Sequence, residues 1–108
     1  MDIERGKLVG PVDVALDLHL LGVIQGSVTV RAGADLLVDG MIAGDLHVEH
    51  GATATVAGLV TGQITNAGQL VVRGIVVGTV RTLQGRTVVE PGAIVDGIEQ
   101  SAVVEQLG

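Results

Sequence analysis

The sequence contains no cysteine and no aromatic residue, and only two of its 108 residues are proline. The absence of cysteine excludes a disulfide framework, a cysteine-ligated zinc site and thiolate chemistry. The absence of phenylalanine, tyrosine and tryptophan removes the side chains that supply much of the buried area in an ordinary mixed core. The apolar residues, 47% of the chain, are almost all valine, leucine, isoleucine and alanine. This composition indicates a core built as a stack of similar aliphatic layers.

Basic side chains are also scarce, because six lysines and arginines face twelve aspartates and glutamates. Binding to nucleic acid needs clustered cations, and single-strand binding usually adds stacking aromatic rings. We therefore expect no nucleic-acid partner. The N-terminal segment MDIERGK is charged and no apolar run follows it. It does not fit a secretory signal peptide, which favours a cytoplasmic protein.

One long stretch, residues 51–72, carries no charged side chain and has enough residues to span a bilayer. Its apolar residues alternate with threonine, glutamine and asparagine. We interpret it as part of a soluble repeat rather than as a membrane span.

A five-residue unit, Gly-x-x-x-Gly, dominates the sequence. It occurs as GKLVG, GVIQG, GMIAG, GLVTG and GIVVG, and GAIVD is a degenerate sixth copy; the copies begin at Gly6, Gly22, Gly40, Gly58, Gly74 and Gly92. Successive copies are 16 or 18 residues apart. The middle residue of each copy is aliphatic, namely Leu8, Ile24, Ile42, Val60, Val76 and Ile94. Such self-similarity at a fixed period is typical of solenoid proteins.

The alternation within each repeat has a period of two and is broken by corners, which predicts strands rather than helices. A sub-period of six in the central repeats divides each 18-residue turn into three short sides. The sequence therefore predicts an all-β, single-domain, three-sided parallel β-helix of about six turns of 16–18 residues. We expect an N-terminal tail at residues 1–5, the β-helix at 6–98 and a C-terminal tail or cap at 99–108. Residues 99–107 could form a short cap helix.

The repeats resemble those of the bactofilin family, polymer-forming cytoskeletal proteins of bacteria. The segments that carry the resemblance are GVIQGSVTV, GMIAGDLHV, GLVTGQI, GIVVGTV and PGAIVDGI, within residues 6–98. The resemblance implies a right-handed β-helix that assembles end to end into nucleotide-independent filaments. It also implies a scaffold for cell-envelope or cell-shape machinery, with cell-wall enzymes or inner-membrane proteins as partners on the cytoplasmic face of the membrane. MDIERGK does not resemble the family's membrane-targeting stretch, which argues against direct membrane binding.

A stack of strands leaves unpaired hydrogen-bonding edges at its two ends, and solenoids need polar caps to remain monomeric. The first repeat is apolar at alternate positions and the last segment ends in an apolar run, so the sequence shows no strong cap. We therefore expect the end turns to form a polymerisation interface with other copies of the chain. Its candidate residues are Leu8, Val12, Leu16, Leu18, Ile94, Ile98, Val103 and Val104.

Three arginines, Arg73, Arg81 and Arg86, follow one another with no acidic residue among them. They are candidates for a basic stripe on neighbouring turns that docks an acidic partner or an anionic membrane.

The histidines are the remaining candidates for chemistry. The run from His47 to His50 offers imidazole and carboxylate groups, and His19 follows two aspartates in the alternating pattern. A metal site needs three convergent ligands, and general-base catalysis by His19 would need a nucleophile or a pocket beside it. We therefore expect solvated faces, with no metal, no cofactor and no catalytic residue.

The chief alternative is an enzyme of the hexapeptide-repeat class, an acyltransferase or a zinc carbonic anhydrase-like trimer with a left-handed β-helix. That repeat favours a small residue four positions after the bulky one, whereas here Val28, Leu46 and Ile64 occupy this position. The anhydrases use two histidines five residues apart, and His47 and His50 are three apart. These departures favour a structural protein over an enzyme.

Overall fold

A computed structural model of the chain describes residues 2–100 and 103–106, with the side chains of residues 3–95. All regular structure in these residues is β-strand, and every strand pairing is parallel. The strands wind into a three-sided β-solenoid, which confirms the predicted fold class. The right-handed sense stays a prediction.

The strands form three faces. Face 1 contains β1 (Asp2–Glu4), β4 (Leu18–Leu20), β7 (Asp35–Val38), β10 (Thr53–Val56), β13 (Gln69–Val72), β15 (Arg86–Val89) and β17 (Val103–Gln106). Face 2 contains β2 (Lys7–Val9), β5 (Val23–Gln25), β8 (Met41–Ala43), β11 (Leu59–Val60) and the first parts of β14 (Ile75–Thr82) and β16 (Ile94–Gln100). Face 3 contains β3 (Val12–Val14), β6 (Val28–Val30), β9 (Leu46–Val48), β12 (Ile64–Asn66) and the second parts of β14 and β16.

We number the layers of the stack from the N-terminus. Layer 1 contains β1–β3, layer 2 contains β4–β6, layer 3 contains β7–β9 and layer 4 contains β10–β12. Layer 5 contains β13 and β14, and layer 6 contains β15 and β16. The six stacked strands of face 2 are thus separated by five complete turns. β17 adds a seventh strand to face 1.

The core consists of columns of aliphatic side chains that point inward at the same place in successive layers. Ile24 lies beside Ile42, Ile42 beside Val60 and Val60 beside Val76, and all four are fully buried. A second column on face 3 contains Val28, Leu46, Ile64 and Val80. Full burial of one such side chain stabilises the fold by about 1.5–3 kcal/mol. In layers 2–5, the middle residue of each Gly-x-x-x-Gly unit and the residue four positions after it therefore form the stacked aliphatic layers that the composition indicates.

The first glycine of the repeat is required by the close approach of one layer to the next. A Cβ atom on Gly40 would overlap the carbonyl oxygen of Gly22, and one on Gly58 would overlap that of Gly40. Gly6 differs, because a Cβ there would meet only the Glu4 carboxylate, at 3.2 Å. No described layer lies beneath Gly6. In layers 2–5 the repeated glycine therefore reflects stacking, whereas Gly92 in the shifted sixth copy has a positive φ of 88° and no atom close to its Cβ position.

A small polar cluster interrupts the aliphatic core at the corner between faces 3 and 1. The Asn66 amide nitrogen donates to the Arg86 carbonyl oxygen at 2.9 Å and to Thr87 Oγ1 at 3.0 Å. Asn66 Oδ1 accepts from the Gly68 backbone N–H at 2.9 Å, and the hydroxyls of Thr82 and Thr87 are 2.7 Å apart. Among the described side chains, no buried polar atom lacks a partner.

The solenoid extends beyond the predicted limits of residues 6–98. β1 pairs with β4, so Asp2–Glu4 form a strand of the stack rather than a tail. β16 continues to Gln100 and β17 pairs with β15, so the cap helix predicted for residues 99–107 is wrong wherever the structure describes the chain. Helix propensity determines local structure only weakly, and in this segment the hydrogen bonds to the strand edges of layers 5 and 6 outweigh it.

The sixth copy of the repeat is shifted by one residue from its predicted register. Val95, not Ile94, lies beside the core residue Val76, and Ile94 lies beside Ile75 on the outer surface. Ile94 is accordingly 59% exposed. The pairing of β14 with β16 contains an irregularity between Val76 and Thr79, which restores the register so that Ile98 lies beside Val80. A β-bulge of this kind leaves one extra residue on one strand.

Candidate functional site

The N-terminal end of the stack presents three strand edges. Among the described residues β1 pairs only with β4, β2 only with β5 and β3 only with β6. Each strand therefore directs one row of backbone N–H and C=O groups away from the stack. Such a row is a template for another strand.

The predicted interface residues of layer 1 and its corner surround this end. Leu8, Val12 and Leu18 are half-buried and pack against the end of the core. Leu16 is 73% exposed at the corner between β3 and β4. Residues 12–18 line a shallow, open cavity of about 260 Å³ at this corner. The structure thus brings these four apolar residues to one end of the molecule.

Layer 1 also carries an acidic residue at a core-facing position, which the sequence pattern did not indicate. Glu4 is paired with Leu20, which belongs to an inward column in layer 2. The Glu4 carboxylate accepts a hydrogen bond of 3.0 Å from the Gly6 N–H. The end surface therefore combines apolar side chains with a carboxylate above face 1. The short first strand gave no detectable alternation from which this could have been predicted.

The predicted C-terminal interface residues lie on the last strands. Ile94 lies on the outer surface of face 2 and not on the end of the core, because the one-residue shift of the sixth copy places Val95 beside the core residue Val76 instead. Ile98 lies beside Val80, and Val103 and Val104 lie beside Arg86 and Thr87. The side chains of Ile98, Val103 and Val104 lie outside the described part of the structure.

The three arginines do not form one stripe. Arg73 follows β13 at the corner between faces 1 and 2, where its Nε donates to Glu90 at 2.7 Å. Arg81 lies on face 3 beside Thr65, and Arg86 begins β15 on face 1. The spacing explains this separation: a turn takes 16–18 residues, so an interval of eight residues leads to another face.

The histidines lie on the outer surface of the solenoid. His47 and His50 are exposed, and within the described residues no group of three histidine, aspartate or glutamate residues could hold a metal ion. His19 contacts neither of the aspartates that precede it in sequence. Its Nε2 lies 2.5 Å from Oδ2 of Asp39 in the next layer.

Ion pairs between layers mark face 3 and its corner as a polar surface. Arg31 in layer 2 contacts Asp13 in layer 1 and Glu49 in layer 3, each at 3.0 Å. The hydrogen bond to Asp13, together with both negative charges, raises the pKa of Arg31 above its ordinary value. All three side chains are well exposed, so this network contributes little stability. It links adjacent layers and offers no arrangement for catalysis.

No protein-family model, curated protein or solved structure matches the chain. Within the described residues there is no helix that could cross a membrane. The uncharged stretch 51–72 instead forms β10–β13 of the solenoid, as its alternation predicts.

Proposed function

We propose that the protein is a structural scaffold whose subunits join end to end into filaments without nucleotide. The observation that carries this proposal is the open edge of layer 1, where three strands and the end of an aliphatic core face outward together. A second copy stacked on this edge would continue the parallel ladders and cover Leu8, Val12 and Leu18. The resemblance to bactofilins supports a cytoplasmic role in bacteria, with cell-wall enzymes or inner-membrane proteins positioned by the filament.

The exposed Leu16 provides a test that leaves the fold intact. Leu16→Glu should raise the critical concentration for assembly at least tenfold, because about 2 kcal/mol of apolar burial is lost at each contact. Leu83→Glu is the matched control, since Leu83 is 47% exposed at the same corner of layer 5, four layers from the layer 1 edge. Sedimentation and negative-stain electron microscopy measure assembly, and thermal melting checks the fold. Discrete trimers of the unmodified protein, or equal assembly of both variants, would contradict the proposal.

Gly6 provides a second test with a smaller change. In layers 2–5 the corresponding glycine, which is Gly22, Gly40, Gly58 or Gly74, allows the carbonyl oxygen of the layer beneath to approach closely. If a second copy stacks beneath layer 1, Gly6 acquires the same kind of neighbour. Gly6→Ala should then yield a folded protein that fails to form filaments, as seen by electron microscopy. Normal filaments from this variant would mean that the end contact does not continue the stack.

A further inference from the structure

The outer surface of face 2 carries one apolar side chain in each of five successive layers. These residues lie side by side in a single column: Val23, Met41, Leu59, Ile75 and Ile94. Each directly follows the first glycine of its repeat, except Ile94 in the shifted sixth copy. Simple alternation predicts polar residues at these outward positions. The consecutive apolar pairs in GVIQG, GMIAG, GLVTG and GIVVG were the signal for this column.

Five of the eight well-exposed large apolar side chains in the described part of the chain lie on or beside face 2: Val9, Leu21, Ile75, Val77 and Ile94. Val77 lies on β14 with Ile75, Val9 lies on β2 of the same face, and Leu21 lies at its edge. On face 3, by contrast, the outward column contains only polar side chains: Asp13, Thr29, His47, Thr65 and Arg81. The outward column of face 1 is mixed and contains Ile3, His19, Leu37, Thr55, Val71 and Val88. An apolar surface concentrated on one face and bordered by charge marks an interaction site.

We propose that face 2 binds face 2 of a second copy, with the two solenoid axes antiparallel. This pairing has two-fold symmetry, so the same surface serves both partners. Layer 2 of one copy then opposes layer 5 of the other, which brings Val23 against Ile75. Layer 3 opposes layer 4, which brings Met41 against Leu59 at the centre. Layers 2–5 of the apolar column are therefore complementary to themselves, whereas Ile94 in layer 6 opposes the column position of layer 1, which is Lys7.

Charge selects the antiparallel direction. Arg5 and Lys7 are exposed at the layer 1 end of face 2, and Glu90 lies at the layer 6 end. Antiparallel pairing places Arg5 opposite Glu90 of the other copy, twice in each dimer. The Glu90 carboxylate already accepts from Arg73, but a carboxylate has room for several donors. Parallel pairing would instead place Lys7 against Lys7.

The size of the face suits a second copy. The Cα trace measures 32 × 25 × 20 Å along its principal axes. Full contact over one face therefore covers on the order of 600 Å² per copy, close to the ~800 Å² per partner of a standard protein interface. Because the contact uses the sides of the solenoid, it forms whether or not the ends polymerise. If the subunits also join end to end, the same contact would repeat at every subunit and pair two filaments along their whole length. The many repeated contacts would strengthen the association of the two filaments through multivalency.

Disulfide cross-linking tests both the face and the direction, because the chain has no cysteine of its own. Val23→Cys and Ile75→Cys are prepared as separate variants and then mixed under mild oxidation. Within one chain these positions are three layers apart, about 14 Å, beyond the ~7 Å that a disulfide can bridge between Cα atoms. Antiparallel pairing predicts at least tenfold more cross-linked dimer in the mixture than in either variant alone. Non-reducing electrophoresis measures it.

The matched control is the pair Thr29→Cys and Arg81→Cys, which occupies layers 2 and 5 on face 3. This pair should give only the background of random collisions. The proposal is overturned if face 2 gives no more cross-linking than face 3, or if each face 2 variant cross-links with itself as well as with the other. Loss of filaments in the Leu16 or Gly6 variants leaves this result unchanged, so the two proposals fail separately.

Discussion

Replacing Gly58 by alanine should destabilise the solenoid by more than about 3 kcal/mol, a large fraction of the total stability of a domain of this size. A Cβ atom at Gly58 would overlap the carbonyl oxygens of Gly40 and Asp39, which belong to the layer beneath. Both obstacles are backbone atoms held by the ladders, so neither can move without disturbing its own strand. The melting temperature should fall by at least ~12 °C, measured by circular dichroism.

Gly6→Ala is the matched control for folding. It makes the same change at the same position of the repeat, but only the flexible Glu4 carboxylate lies near the new Cβ. Its stability should remain within about 0.5 kcal/mol of the unmodified protein, as for most surface substitutions. Equal losses at Gly6 and Gly58 would show that the glycine serves some need other than the approach of the layer beneath.

The difference between Gly58, which lies on a layer beneath it, and Gly6, which does not, also explains how much of the fold could be predicted from the sequence. A glycine that recurs at a nearly constant interval and an aliphatic residue two places later both reflect the stacking of equivalent positions. Ile24, Ile42 and Val60 could therefore be placed in one buried column from the sequence alone. Where the stacking partner is missing or irregular, the periodicity carries less information. The register of Ile94 was misplaced because the sixth copy was aligned on Gly92, whereas Gly97, one position late for that alignment, fits the observed register of Val95 beside Val76.

The candidate site was harder to predict because it depends on which residues of different layers meet. Layers differ in length by one or two residues, so intervals in sequence do not translate simply into neighbours in space. His19 therefore contacts Asp39 instead of Asp13 or Asp17. Glu4 occupies a core-facing position that the aliphatic pattern excludes, because no described layer covers it. Leu8 and Val12 could be placed at the end of the core because they continue the inward columns of the layers above, and their role in an interface stays a prediction.

Asn66 shows how the chain accommodates a shorter layer. In layer 3 the corner after Val48 has five residues before Ala54, and the Ala52 N–H donates to the Glu49 carbonyl at 2.9 Å. In layer 4 the corresponding corner has only three residues. Here the Gly68 N–H donates to the Asn66 side chain instead. In this corner the Asn66 amide oxygen thus takes the place of a backbone acceptor for the Gly68 N–H.

Asn66→Val should therefore destabilise the protein by about 2–3 kcal/mol, although valine is the residue that occupies this column in layers 1–3. The substitution adds apolar burial but removes the acceptor of the Gly68 N–H and the donors to Arg86 and Thr87. Chemical denaturation measures the loss. Thr65→Val is the control, because Thr65 points outward on the same strand and should change stability by less than about 0.5 kcal/mol. A stabilising Asn66→Val would refute the proposed role of the amide.

The substitution Asn66→Asp should make the stability of the protein depend on pH. An ionised carboxylate can accept from the Gly68 N–H but cannot donate, and burial raises the pKa of such a group. The folded state then holds a proton that the unfolded state releases, so stability falls as pH rises above the unfolded value of about 3.9. At pH 7 the expected loss is about 3–5 kcal/mol, because the carboxylate would be ionised at a fully buried position. Towards pH 4 the protonated acid can donate as the amide does, and the difference from the unmodified protein should shrink. A loss that is independent of pH would mean that the side chain at position 66 reaches solvent.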